Sequence, residues 1–410
     1  MKYKLLLLFL SLQFSYIFVS GQLVSYTYYK SVTTSDYIKV MKKNHIPRSF
    51  VKAKYDVDIY DVTYLTKWYD GTIIKATGLY FVPKNANIEM PQIVYHHGTR
   101  IKPGRKPDLG GEEYICMAMA VDGYAIMIPD YIGLGKGEKF HLYHYAESEG
   151  QASVDMILAI RELNKVLGIK TNDQLFLTGY SQGGHATLAT QKMIQEKYSG
   201  LIKVTASSAM SGAYDMAGEQ SKVMFKPYKQ PHYLPYLLKS YNEIYKFVGN
   251  DINVIYKAPY DTLIPKLFDG KHDIKQINLA LPEIPKNILK DTFINLFLND
   301  SNFGFTVALK INSVFDWKPE QPVQLCYCNA DEQVTYKNAI VAYKRMREKG
   351  AKHILLRQAG RKYNHNKCAI FSSLYTKMYF DSFRKGSKYG RRGPLGKRFL
   401  INIAKIFIKK

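Results

Sequence analysis

The strongest constraint on this chain lies near its middle, where Gly179-Tyr180-Ser181-Gln182-Gly183-Gly184 follows directly on the apolar run Gln174-Leu-Phe-Leu-Thr178. Residues Gln182 to Ile194 then continue as a helix whose N-terminus points back at the serine. A buried strand, a sharp turn and a helix are thereby placed in succession, with a serine at the apex. Small residues on both sides of that serine suit the turn, because strand and helix backbones must pass close together while Oγ is exposed at the sheet edge. The G-x-S-x-G pattern alone also arises in ordinary glycine turns. Its meaning here comes from the strand before it and the helix after it.

The surrounding chain repeats the same rhythm. Short apolar strands at Ile93-Val-Tyr95, Ala125-Ile-Met-Ile128 and Leu175-Phe-Leu177 are separated by helical stretches, the longest from Ser148 to Val166. That alternation predicts a mostly parallel sheet covered on both faces, an α/β fold. An antiparallel hairpin precedes it, Val57 to Thr66 and Thr72 to Val82, turning at Asp70-Gly71. Three further strands are expected at Val204 to Ala209, Val323 to Tyr327 and His353 to Arg357, which makes eight with the hairpin counted as two.

Between the sixth and seventh of these strands, residues 216–317 break the rhythm. Tyr233 to Tyr245 and Ile288 to Leu298 carry apolar residues at helical spacing, so the segment reads as a helical cap. Because the chain leaves and re-enters at strand carboxyl ends, the cap is expected to sit over Ser181. A surface insertion without a role is the alternative. The organisation expected is a core of 22–215 and 318–385, the cap at 216–317, and a basic tail at 386–410.

A chain of 410 residues has room for such a core and insertion. Its start, Met1-Lys-Tyr-Lys4 followed by Leu5 to Leu12 and small residues near Gly21, reads as a secretory signal peptide over 1–21 cut near Gln22. A membrane anchor competes with this reading. Ser11, Gln13 and Ser15 interrupt a stretch that would need about 20 apolar residues to span. The protein is therefore expected to be secreted or periplasmic. In that setting Cys326 or Cys328 could bridge to Cys368. The four cysteines lack zinc spacing, and no metal or other cofactor is expected. The net charge of +24 could suit nucleic acid or an anionic surface. It follows a lysine-rich composition along the whole chain, so nucleic acid is not an expected partner.

A serine nucleophile needs a base to take its proton and an acid to orient that base, and here the chain order should be Ser, Asp, His. The loop after the seventh strand supplies Asp331, with Glu332 as its possible substitute. Asp316 lies on the wrong side of that strand. Asp331 could instead merely cap a helix beginning near Val334. After the eighth strand, His365 sits in a polar loop leading into the last helix, whereas His353 opens the strand itself. The oxyanion needs two backbone donors. Gln182 N–H is one, and Thr99 N–H, in the loop His96-His97-Gly98-Thr99-Arg100, is the other, although a histidine-glycine turn also occurs for structural reasons alone. Asp130-Tyr131-Ile-Gly133-Leu-Gly135 reads as a glycine turn shaping the site.

With these pieces together the chain resembles the α/β-hydrolase superfamily and, within it, the secretory lipases of fungal lipase A type and their bacterial relatives. Tyr95-His-His-Gly-Thr99, Pro129 to Gly135, Gly179 to His185, Asn329 to Val334 and Asn364 to Ala369 carry the resemblance. It implies an esterase or lipase acting through Ser181, Asp331 and His365 by an acyl-enzyme, with the cap forming an acyl pocket. Two positions depart from the pattern. Asn366-Lys367 stands where a glycine-rich loop usually follows the histidine, and His96 stands where many relatives carry a polar amide.

Beyond Gly396, Arg398, Asn402, Lys405 and Lys409 form one polar stripe on an otherwise apolar segment. Such a helix either lies on an anionic membrane, which suits an enzyme acting on lipid, or docks on its own domain. The leading function is a secreted hydrolase of carboxylic esters. Its rivals are a serine peptidase of the same fold and a surface binding protein that keeps the fold without the chemistry.

Overall fold

The computed structural model describes residues 20–43, 51–104, 109–390, 393–396, 398–399 and 401–402. The expected signal peptide therefore lies outside the described residues apart from Ser20 and Gly21, as does most of 397–410.

The short apolar runs form the centre of one sheet. β4 (Met90–His96) is flanked in parallel by β5 (Ala125–Pro129) and β6 (Thr171–Tyr180). Beyond β6, β7 (Ala206–Met210), β8 (Val323–Cys328) and β9 (Ile354–Gly360) add in parallel. On the other side the hairpin of β2 (Val57–Lys67) and β3 (Ile73–Pro83) joins antiparallel through β3 to β5. The order is β1-β2-β3-β5-β4-β6-β7-β8-β9, so the chain moves to one side of β4 and then returns to the other. The carboxyl ends of β4 and β6 therefore border a crevice where ligands of such sheets bind.

Nine strands are present among the described residues, not the expected eight. The additional one, β1 (Leu23–Val32), is a mostly exposed edge strand paired antiparallel with β2 and followed by α1 (Thr34–Lys43). Its sequence LVSYTYYKSV has no buried face to impose a period-2 pattern. Backbone pairing rather than burial puts it in the sheet, and hydrophobic periodicity does not report that.

Successive residues of the central strands point to opposite faces. Ile93, Tyr95, Phe176 and Ile126 pack against Cys116 and Met117 of α2 (Glu112–Ala120) and Phe371 and Phe380 of α11 (His365–Arg384). Val94, Leu175, Leu177 and Met127 pack against Val154, Ile157 and Ile160 of α3 (Ala146–Leu167) and Met193 of α4 (Gln182–Lys197). α10 (Lys337–Glu348) joins the α4 side through Ala339, Ala342 and Met346. It begins three residues later than the helix start read near Val334.

The segment 216–317 is helical, as its spacing predicts. It contains α5 (Tyr233–Tyr245), α6 (Tyr260–Leu267), α7 (Ile274–Ala280), α8 (Asp291–Asn299) and α9 (Gly304–Ile311). Ile288 ends a short 3-10 turn rather than opening α8. Leu238, Tyr241, Phe293, Phe305 and Leu309 form its own apolar core, which reaches Tyr143, Ala213 and Val334 of the underlying domain.

In the described part of the tail, Ile401 is buried in the core with Tyr375 and Met378, while Leu395 and Phe399 are exposed. Lys405 and Lys409 of the expected polar stripe lie outside the described residues. No helix among the described residues is long and apolar enough to cross a membrane.

Candidate active site

The turn between β6 and α4 is as tight as its glycines require. A Cβ on Gly183 would meet the main-chain oxygen of His96, and one on Gly179 would meet the oxygens of Gly183 and His96. Ser181 itself has φ 60° and ψ −120°. A side chain rarely occupies that region, at a cost of about 1–3 kcal/mol unless the surroundings enforce it. Enforcement here comes from Ser181 N–H, which donates to Met210 O at 3.0 Å, and from Ser181 O, which accepts from Gly184 N–H at 2.9 Å.

Asp331 and His365 are brought together as their chain order predicts. Both carboxylate oxygens of Asp331 stand 2.9 Å from His365 Nδ1, and both residues are buried. The carboxylate can only accept when ionised, so Nδ1 carries the hydrogen and Nε2 is the basic nitrogen. Asp331 Oδ1 also accepts from the N–H groups of Gln333 and Val334, at 3.1 and 2.9 Å. These two bonds close the turn after β8 and do not cap a helix, since α10 starts only at Lys337 and has Tyr336, with no side-chain cap, at its N-terminus.

His365 is the first residue of α11 rather than part of a loop, and Asn364 caps that helix by accepting from Lys367 N–H at 3.0 Å. Glu332 accepts from the main-chain N–H of His365 at 3.0 Å, and Tyr180 OH donates to its carbonyl. Glu332 thus holds the backbone of the histidine and does not touch its ring. His353 lies away from this group and stacks on Tyr389 with ring centres 3.9 Å apart.

Ser181, His365, Gly98 and Thr99 line one cavity of about 890 Å³. Ser181 Oγ and His365 Nε2 share no direct hydrogen bond in it. Such pairs are often long without substrate and tighten in the Michaelis complex. Gln182 opens α4, so its N–H has no intrahelical acceptor. In the β4 loop Gly98 N–H is already taken by Glu112 Oε2 at 2.8 Å. Thr99 N–H has no acceptor among the described residues, and Thr99 Oγ1 contacts Tyr143 OH at 3.1 Å.

A second cavity runs from Ser181 into the cap. Met216, Met224, Leu234, Leu237, Phe305 and Leu309 line it. Tyr233 borders both cavities. Tyr236 stacks on Tyr143 at 4.6 Å and Tyr241 OH donates to His144 O at 3.0 Å, so these two brace the cap against the domain below.

Sequence reasoning missed a buried group behind the elbow, formed by His141, His144, Glu149 and His185 with the side chain of Gln182. His185 stood in the quoted motif, but nothing in the chain pointed to Glu149, 36 residues earlier, as its partner. His144, Glu149 and His185 place potential ligand atoms within 4.8 Å of one another. The residues do not fit zinc, since Glu149 Oε2 and His185 Nδ1 are 2.6 Å apart. Two ligands at about 2.0–2.1 Å from a tetrahedral ion stand about 3.3 Å apart.

The arrangement can be set beside known proteins. A family model described as Secretory lipase matches residues 108–371, more than half of the chain. A comparison with curated protein sequences found no match. Among solved structures, a candidate hydrolase from Legionella pneumophila is 29% identical with a TM-score of 0.80, the match covering 89% of this chain and 98% of that one. A rice cell wall degrading esterase, LipA from Xanthomonas oryzae, is 23% identical with a TM-score of 0.76 over 90% and 98%. Candida antarctica lipase A in its closed state is 17% identical with a TM-score of 0.65 over 89% and 83%. At those identities the last two bear on the fold alone, which is that of the α/β hydrolases.

Proposed function

The chain belongs to the secretory lipase family and is a carboxylic ester hydrolase, and from that premise we propose that it works through a Ser181 acyl-enzyme. Ser181 Oγ attacks the ester carbonyl while His365 Nε2 takes its proton. Asp331 holds the resulting imidazolium through Nδ1–H. The tetrahedral oxyanion is held by Gln182 N–H and Thr99 N–H. His365 then returns the proton to the leaving alcohol, and water releases the acid by the reverse sequence. The observation that carries this reading is the Asp331–His365 pair, with both oxygens 2.9 Å from Nδ1, on the same cavity as Ser181.

The apolar cap cavity suits the acyl chain, and the wider cavity beside His365 suits the alcohol. This division favours lipid or other apolar acyl esters. Export by a signal peptide over 1–21 accords with the family's description as secretory, and the exposed Leu395 and Phe399 leave the tail an apolar side for peripheral contact with a lipid surface.

Turnover of p-nitrophenyl esters from acetate to palmitate, with Ser181→Ala beside the native protein, tests the reading. The variant should lose at least about a thousand-fold in kcat. Leu237→Trp, which fills part of the cap cavity, should move the chain-length optimum downward while activity on acetate is kept. Turnover independent of Ser181 would overturn the nucleophile, and an unchanged profile in Leu237→Trp would remove the acyl chain from the cap.

A further inference from the structure

Behind the elbow lies a line of buried side chains that the ester chemistry above does not use. Glu149 in α3 and His185 in α4 are both fully buried, with Glu149 Oε2 2.6 Å from His185 Nδ1. His185 Nε2 stands 2.8 Å from the main-chain oxygen of Asn312. A carbonyl only accepts, so Nε2 carries a hydrogen, and the short contact at Nδ1 holds one further proton between nitrogen and carboxylate. Glu149 Oε1 accepts from Gln182 Nε2 at 2.8 Å. The second hydrogen of that amide is directed to His141 Nε2, also at 2.8 Å, and His141 Nδ1 donates to Ile132 O at 3.1 Å. Burial holds His141 below its ordinary value, which leaves its Nε2 free of a proton and able to accept.

Donors and acceptors match along the whole line, and they fix which way the Gln182 amide faces. Turned over, its oxygen would face a carboxylate and a ring lone pair. In the orientation present, Gln182 Oε1 is buried with no partner among the described residues, as is His144 Nδ1 nearby. The position matters because Gln182 follows the strained Ser181, and its main-chain N–H is the first donor at the head of α4.

We infer that Glu149 and His141, acting through the Gln182 carboxamide, are positioning residues that aim the Gln182 N–H at the oxygen on which charge develops. His185 and Asn312 hold Glu149 in turn. Asn312 closes α9, its side-chain amide donates to Tyr245 OH at 2.9 Å, and its Oδ1 accepts from Ala146 N–H at 2.9 Å. The oxyanion donor is thereby tied to the cap through a continuous set of hydrogen bonds. This inference rests on the Ser181 reading and on Gln182 N–H as an oxyanion donor.

The test compares Gln182→Met and Glu149→Gln with the native protein, with kcat expressed per active site titrated by a fluorophosphonate. Affinity for a trifluoromethyl ketone, whose adduct with the serine places an anionic oxygen in the same position, is measured alongside. Gln182→Met keeps the main-chain N–H and loses both tethers. Its kcat per site should fall about ten- to a hundred-fold with KM within about two-fold, and ketone affinity should fall by the same factor. Glu149→Gln preserves the line, because its oxygen still accepts from Gln182 and its NH₂ donates to a neutral His185. It should stay within about three-fold of native. Native kcat per site and native ketone affinity in Gln182→Met, whatever its melting temperature, would overturn the inference, as would a loss in Glu149→Gln as large as that in Gln182→Met. Ser181→Ala separates the two levels. Turnover there would remove the reading beneath, whereas a dead Ser181→Ala beside an unimpaired Gln182→Met would remove this inference alone.

Discussion

A single carboxylate, Asp331, orients the proposed base and closes the turn that leads to α10. Its two oxygens meet His365 Nδ1, and one of them also accepts two backbone N–H groups. Among the described residues, Glu332 next to it bonds only the main-chain N–H of His365. The two acids should therefore separate cleanly by mutation. Asp331→Asn, which offers an amide where Nδ1–H needs an acceptor, should lower kcat by about 10⁴, and Glu332→Gln should lower it less than about ten-fold. Steady-state kinetics on one ester checks both, and equal losses would count against Asp331 as the orienting acid. The elbow was legible from sequence because its rule is steric and local, with glycines at 179 and 183 where any Cβ would strike main-chain oxygen. The Glu149, His141 and Gln182 line was not legible, because a hydrogen bond between residues 33 or 41 apart leaves no periodic trace.

Among the elements, the turn after β8 carries the proposed acid, α11 carries the proposed base, and a covalent bond joins β8 to α11. Cys328, the last residue of β8, is bridged to Cys368 in the first turn of α11, with Cα atoms 5.9 Å apart at a sequence separation of 40. From sequence the bridge could be placed between these loops, but the choice between Cys326 and Cys328 stayed open. The pairing depends on which cysteine lies at the strand's carboxyl end, next to the incoming helix. Cys326 is buried two residues deeper as a free thiol. Closing a loop of that length restricts the unfolded chain by about 4 kcal/mol in the chain-entropy treatment. Cys328→Ala with Cys368→Ala should lower the melting temperature markedly. It should also reduce kcat, since the bridge lies three residues from His365. Thermal melts and kinetics on the pure double variant check this, and unchanged values for both would mean that packing of α11 alone positions the base. Among elements with a buried face, β5, β7 and α3 were read close to their true bounds and β4 and β6 only at their apolar centres, whereas the exposed edge strand β1 was not read at all.

Across the whole molecule, several histidines are buried in neutral form. Desolvation holds His96 down to about 3 and His232 to about 4, and pushes His97 and His144 well below their ordinary value. In the unfolded chain each takes up a proton near pH 6.5. Between about pH 3 and 6.5 the unfolded state therefore binds more protons than the folded one. Stability is full above that window and is lost as pH falls through it, with each such histidine adding up to about 1.4 kcal/mol per pH unit to the slope. The melting temperature should already fall between pH 6.5 and 5, before most carboxylates protonate. A flat profile there would mean that these rings accept protons in the folded state. By itself the sequence determined the tight strand-turn-helix at Ser181, the order in which the proposed acid and base follow it, and the alternation of strand and helix, because turn sterics and hydrophobic period act between near neighbours in the chain. The tertiary structure alone decided how the buried polar atoms pair behind Ser181, which cysteine closes the bridge, and where the cap leaves space beside the serine. Those outcomes depend on register and packing between segments far apart in sequence, where local preference has no influence.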